Sequence, residues 1–275
     1  MSKLNKVFIC CIVFLFTVLL NIPTVALAAE LPSDQKDQNQ SVIKLEAIFN
    51  QVIEATQVGN FAKADEGLSQ MLEIAPDNPA IWSERGNVRV GQNRIEEAIA
   101  DYDHAIQLAP NAPEPYLNRG VAYERLEKWS EAIADYDHVL AIDVKDPIAY
   151  NNRGNAKAGL GEWQGAIADF AQAFKLEPQY SFARANHALA LYEFGKKEQA
   201  IQEMKSLVRK YPNFADMRAA LTAVLWVNGK QGEAESNWVA VVGLDNRYQD
   251  IDWVKNIRRW PPSVTVALQS FLELK

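Results

Sequence analysis

The side chains best suited to metal or nucleophilic chemistry in this 275-residue chain are His104, His138, His187, Cys10 and Cys11. Their spacing argues against such chemistry. His104 and His138 are 34 residues apart and occupy equivalent places in consecutive repeats. Neighbouring helical units stack roughly 10 Å apart, whereas ligands of one zinc lie within about 2 Å of the metal. Repeat inheritance therefore explains the pair. His187 falls where the preceding repeats carry arginine, so it reads as a polar packing residue. Cys10 and Cys11 both sit in an apolar N-terminal run, which excludes disulfides and thiolate metal sites from a processed chain. The sequence has no glycine-rich phosphate loop, nucleophile elbow or paired metal-binding histidines. No catalytic residue, metal or cofactor is expected. One constellation does recur: Arg85 with Asp101, Arg119 with Asp135, and Arg153 with Asp169. The fork of arginine suits two-point contact with a carboxylate. We read these pairs as a structural ladder that fixes register.

The elements that position them follow one period. Ala64, Ala98, Ala132, Ala166, Ala200 and Ala234 stand 34 residues apart, defining units 45–78, 79–112, 113–146, 147–180, 181–214 and 215–248. The twenty-fourth place of each unit is large and apolar: Leu68, Tyr102, Tyr136, Phe170, Met204 and Trp238. The eighth place is small in the middle units: Gly86, Gly120, Gly154 and Ala188. Pro79, Pro113 and Pro147 open three units at a helical first turn, where a missing N–H costs nothing. Gly59, Gly161, Gly195 and Gly229 mark a turn near mid-unit. Each unit thus reads as helix, short turn, helix. A unit this short cannot bury its own apolar face, so the units must stack.

Segments such as "AYNNRGNAKAGLGEWQGAIADFAQAFKLEP" (149–178) closely resemble the tetratricopeptide repeat. The resemblance implies an all-α, right-handed superhelical solenoid over 42–248, followed by a helical cap over 249–275. It also implies a groove lined by the first helix of each unit, which would bind another protein or a peptide segment. On that resemblance the groove residues are Asn87, Asn118, Asn151, Asn152, Asn155, Asn186, Arg125, Tyr192 and Trp226. Amides can donate to and accept from an extended backbone, and aromatic residues serve as interface anchors. Glu84, Glu124, Phe182 and Glu193 share those places. Some members of the family clamp a chaperone C-terminus, but the clamp's lysine place holds Ser83, Leu117, Asn151 and Ala185 here. That function is not carried over.

Residues 1–28 read as a secretory signal. Lys3 and Lys6 precede the apolar run Val7–Leu20, and Ala26-Leu27-Ala28 offers a small-x-small cleavage site. An uncleaved anchor over 7–29 is the alternative. Residues 29–41 are polar and aperiodic and read as a flexible linker. The tail "DIDWVKNIRRWPPSVTVALQSFLELK" is expected to form a short helix, a Pro261-Pro262 bend and a last helix capped by Ser263. With the repeats and the export signal, this tail is similar to thylakoid-lumen proteins of the family and their cyanobacterial relatives. The expectation is export to a periplasm or a thylakoid lumen, with a membrane-anchored form as the alternative. Charge is uneven: residues 29–180 carry 13 basic against 25 acidic side chains, and residues 181–275 carry 13 against 10. Nucleic acid is a poor partner for the acidic body, because phosphate contacts need a dense basic surface. We therefore expect a non-catalytic scaffold or assembly factor. A self-associating structural protein and a small-ligand carrier are the other classes left open.

Overall fold

The computed structural model describes residues 33–274. The signal segment, with Lys3, Lys6, Cys10 and Cys11, lies outside them. Every regular element among the described residues is helical. The chain divides into two compact units, Met1–Pro110 and Asn111–Lys275.

In the first unit, α1 (Ser33–Gln57) pairs with α2 (Phe61–Ile74), and α3 (Pro79–Gly91) pairs with α4 (Ile95–Leu108). The first helix begins inside the segment read as linker. Downstream of Pro32 nothing breaks a helix until the turn at Gly59, and Lys and Gln carry good helix propensity. Ile48, Val52, Ala64, Leu68, Met71 and Ile81 bury together. Asn78 caps α3 by accepting from the Ala80 N–H at 3.0 Å, with Pro79 in the first turn.

In the second unit, α5 (Pro113–Arg125) pairs with α6 (Trp129–Ile142), α7 (Pro147–Gly159) with α8 (Trp163–Leu176), α9 (Ser181–Glu193) with α10 (Lys197–Lys210), and α11 (Ala215–Val227) with α12 (Gln231–Leu244). Each second helix packs on the next first helix. The small eighth place is required by contact with the ring in the partner helix. A Cβ on Gly120 would stand 2.6 Å from the Tyr136 ring, and one on Gly154 would stand 2.7 Å from Phe170. The mid-unit turn puts one residue in the left-handed region in every repeat. Gly59, Gly161, Gly195 and Gly229 fill that place in four repeats, and Asn93 (φ 62°) and Glu127 (φ 56°) fill it in the other two.

A 3₁₀ turn (Asn246–Gln249) then leads into α13 (Ile251–Trp253), a π-helical turn (Val254–Arg258) and α14 (Pro262–Leu272). The last helix starts two residues earlier than expected, with Pro261 in place of Ser263 at its N-cap. Ser263 lies within its first turn and donates both its N–H and its hydroxyl to Glu193. Val264, Ala267, Leu268 and Phe271 are buried, as the predicted apolar face requires. That face does not extend the stack beyond α12. It lies against α11 and α9, the first helices of the last two repeats.

Candidate functional site

The first helices α5, α7, α9 and α11 form one wall of the second unit, and the wall has two halves. Over α5 and α7 it is polar. Asn186 of α9 donates to the Oδ1 atoms of Asn151 and Asn155, at 3.1 Å each, and Asn151 donates to Asn152 at 3.2 Å. Asn151 is buried. This amide row therefore joins two repeats, and Asn152 at its end is half-buried. Asn118 is half-buried on α5, and Arg125 is exposed at the end of that helix. Asn87 belongs to the first unit, where it donates to Glu84 at 2.7 Å and accepts from the Tyr102 hydroxyl at 2.8 Å.

Over α9 and α11 the wall is apolar and covered. Tyr192 is 4% exposed and sits in the core that also holds Leu268 and Phe271. The Trp226 ring meets Phe271 at 5.2 Å in an edge-to-face contact. Neither residue is a free groove anchor, because α14 already occupies the surface they line.

The ladder pairs form within each repeat. Arg85 grips Asp101 through two bonds (3.0 and 2.7 Å), Arg119 grips Asp135 (2.9 and 2.6 Å), and Arg153 grips Asp169 (2.9 and 2.7 Å). All three aspartates are buried. Arg85 also reaches back into the preceding repeat, to Ser69 at 3.2 Å, and so does Arg153, to Asp137 at 2.6 Å. In the fifth repeat the same two places hold His187 and Glu203, 2.9 Å apart, with Arg184 also on Glu203. His104 and His138 stack on the aromatic that opens their own repeats, Trp82 at 4.0 Å and Tyr116 at 3.9 Å.

The segment before α14 is held by a buried carboxylate that sequence reasoning missed. Asp216 accepts from the Tyr248 hydroxyl (2.7 Å), Arg258 Nε (2.9 Å) and Trp260 Nε1 (3.1 Å). Burial, followed by the Asp216 charge, pushes the Tyr248 hydroxyl above its ordinary range. Arg259 turns the other way. It lies over the Trp129 ring at 5.4 Å and 4.0 Å from a Glu124 carboxylate oxygen. Glu124 also accepts from the Tyr136 hydroxyl at 2.6 Å. Burial drives its carboxyl up to about 7, and the Tyr136 bond and the Arg259 charge offset part of that rise.

Family models described as TPR repeat match residues 86–127, and tetratricopeptide-repeat models match 117–183 and 158–224. The chain is a tetratricopeptide-repeat protein. Among solved structures, this repeat protein is similar to one from Parabacteroides merdae at 18% identity, covering 84% of this chain and 98% of that one with a TM-score of 0.66. It is similar to MamA from Desulfovibrio magneticus at 16% identity, covering 60% and 94% with a TM-score of 0.57. It is also similar to YrrB, described as a TPR protein with an unusual peptide-binding site, at 18% identity, covering 66% and 94% with a TM-score of 0.53. At these identities the likeness is one of fold. No curated protein matches the chain.

Proposed function

We propose that this repeat protein is a non-catalytic scaffold that holds a segment of another polypeptide against the first-helix wall of repeats 113–146 and 147–180. The observation that carries the proposal is that the same wall, two repeats further on, already holds a polypeptide segment, the chain's own α14. The unfilled half presents Asn118, Asn152 and Arg125. Such groups suit an extended backbone, whose amides and carbonyls both need partners. The likeness to a repeat protein described as binding a peptide points the same way. The partner is thus a protein or peptide, and the site excludes the α9–α11 half that the sequence also suggested. We place the scaffold in an exported compartment, a periplasm or a thylakoid lumen, on the strength of residues 1–28. The mature N-terminus together with membrane fractionation decides between a released and an anchored form.

The test is capture of partners from a native lysate by the full chain, compared with Asn118→Ala/Asn152→Ala. A partner should be retained by the wild type and lost from the double variant. Equal capture by both would move the site off this wall.

A further inference from the structure

Three places at the junction between repeats 181–214 and 215–248 carry unusual residues. The place before a first helix holds Asn78 or Asp146 at two earlier junctions, and their side chains accept from N–H groups of the helix that follows. Here it holds Phe214, and no side chain caps α11, at a cost in helix stability. The thirtieth place is Ile74, Leu108, Ile142, Leu176 and Leu244 in five repeats and Lys210 in this one. The second place of α9 carries Phe182, which is 51% exposed. Together Phe182, Lys210, Tyr211, Pro212 and Phe214 line a cleft of about 420 Å³, within the roughly 300–1,000 Å³ usual for ligand sites. Phe182 meets Phe214 edge to face at 5.4 Å, and the Lys210 ammonium lies over the Tyr211 ring at 5.1 Å.

We infer that this cleft holds an acidic polypeptide segment by one aromatic side chain, with Lys210 taking a flanking carboxylate. The inference rests on the scaffold reading and deepens it, since it names the chemistry of the segment that would lie on the first-helix wall. Charge selects the occupant. No acidic residue lines the cleft. Among the described residues Lys210 forms no ion pair, and neither does Arg218, which donates to the Pro212 carbonyl at 2.6 Å and to Asn237 at 3.2 Å. The acids on the neighbouring helices are taken, Glu203 by Arg184 and His187, and Asp216 by Tyr248, Arg258 and Trp260. Uncompensated positive charge thus borders an apolar, ring-lined surface. An aromatic ring with a neighbouring carboxylate complements both. Position selects the class of partner. Phe182 stands four residues before Asn186 on the same face of α9, and Asn186 closes the amide row with Asn151 and Asn155. That separation is about 6 Å along the helix, which two residues of extended chain span. A segment lying on the amides therefore reaches the cleft without a turn.

The experiment titrates the isotope-labelled full chain with three short acetylated, amidated peptides: tryptophan between glutamates, tryptophan between lysines, and alanine between glutamates. The first should shift the backbone amides of Phe182, Lys210, Tyr211 and Phe214 saturably below about 5 mM, and bind about tenfold or more tightly than the other two. Phe182→Ala, at an exposed position on α9, should weaken that binding about fivefold or more. Lys210→Glu should reverse the preference between the glutamate and lysine peptides. Equal binding of the glutamate and lysine peptides, equal binding of the tryptophan and alanine peptides, an unchanged affinity in Phe182→Ala, or no saturable shift at all would each overturn the inference. So would shifts at these amides with phosphatidylglycerol vesicles and with none of the peptides, which would make the patch a membrane surface. The two readings fail separately in the lysate capture. A partner lost from Asn118→Ala/Asn152→Ala but retained by Phe182→Ala/Lys210→Glu would sink the cleft alone, and the reverse pattern would sink the wall site alone.

Discussion

Repeats 113–146 and 147–180 and repeats 181–214 and 215–248 are built on one template and solve its packing differently. In the first pair the hairpin is bolted by a two-point arginine–aspartate contact, and the first helix keeps amides and charges on its outer side. In the second pair His187–Glu203 and then Arg218–Asn237 replace the bolt, and the first helices bury most of their residues. In α11 nine of thirteen residues are buried, which no lone first helix needs. The difference shows what holds each pair together. Paired charges set register in the former, and a self-supplied helix provides the missing apolar surface in the latter.

The sharpest way to break this contrast is to remove the helix that causes it. Phe271→Ala should cost about 3–5 kcal/mol, the usual range for a fully buried aromatic. Hydrogen exchange should show the loss concentrated in 181–272 while α5–α8 remain protected. Uniform exchange across all four repeats would show that the two pairs do not differ in this way. Smaller is the effect of the buried acid. The Glu124 carboxyl is raised in the folded chain, so its unfavourable burial is absent at low pH and grows as pH rises from its ordinary value through about 7. Glu124→Gln should therefore raise stability above neutrality by about 1–3 kcal/mol and change little near pH 4, as urea titrations at the two pH values would show. The bolts are of similar size. A double-mutant cycle on Arg119 and Asp135 should give a coupling of about 1.5–3 kcal/mol, and the same cycle on His187 and Glu203 a smaller one. Equal couplings would erase the distinction between the pairs. The smallest effect is conformational. Glu127→Gly relieves a left-handed residue at a turn where four other repeats already use glycine, and should stabilise by about 1 kcal/mol.

Much of this was legible in the chain before folding. The alanine period predicts the hairpins, and the small eighth place predicts the ring that fills it. The joint appearance of arginine and aspartate in three repeats predicts their contact. What could not be read has physical causes. The turn residue Glu127 carries no signal, because glutamate has no preference for positive φ, whereas Asn93 is of a type that favours it and was legible. The reach of Arg153 to Asp137 depends on a place whose residue type varies from repeat to repeat. The burial of Tyr192 depends on a segment seventy residues further along. A clue to it was present in the run "AALTAVLW", whose polar side is missing. Asp216 gave none, since one aspartate at a helix start reads as an ordinary first-turn acid.

The backward reach of Arg153 bears on how such a chain can grow. Its guanidinium holds Asp169 in its own repeat and Asp137 in the one before, so each junction is written partly in the upstream module. A tandem duplication of 113–146 would present Asp137 to a second Arg119 and reproduce the junction, whereas a duplication of 147–180 would present Ala171 instead. Lengthening this protein is thus chemically cheaper at one seam than at the next.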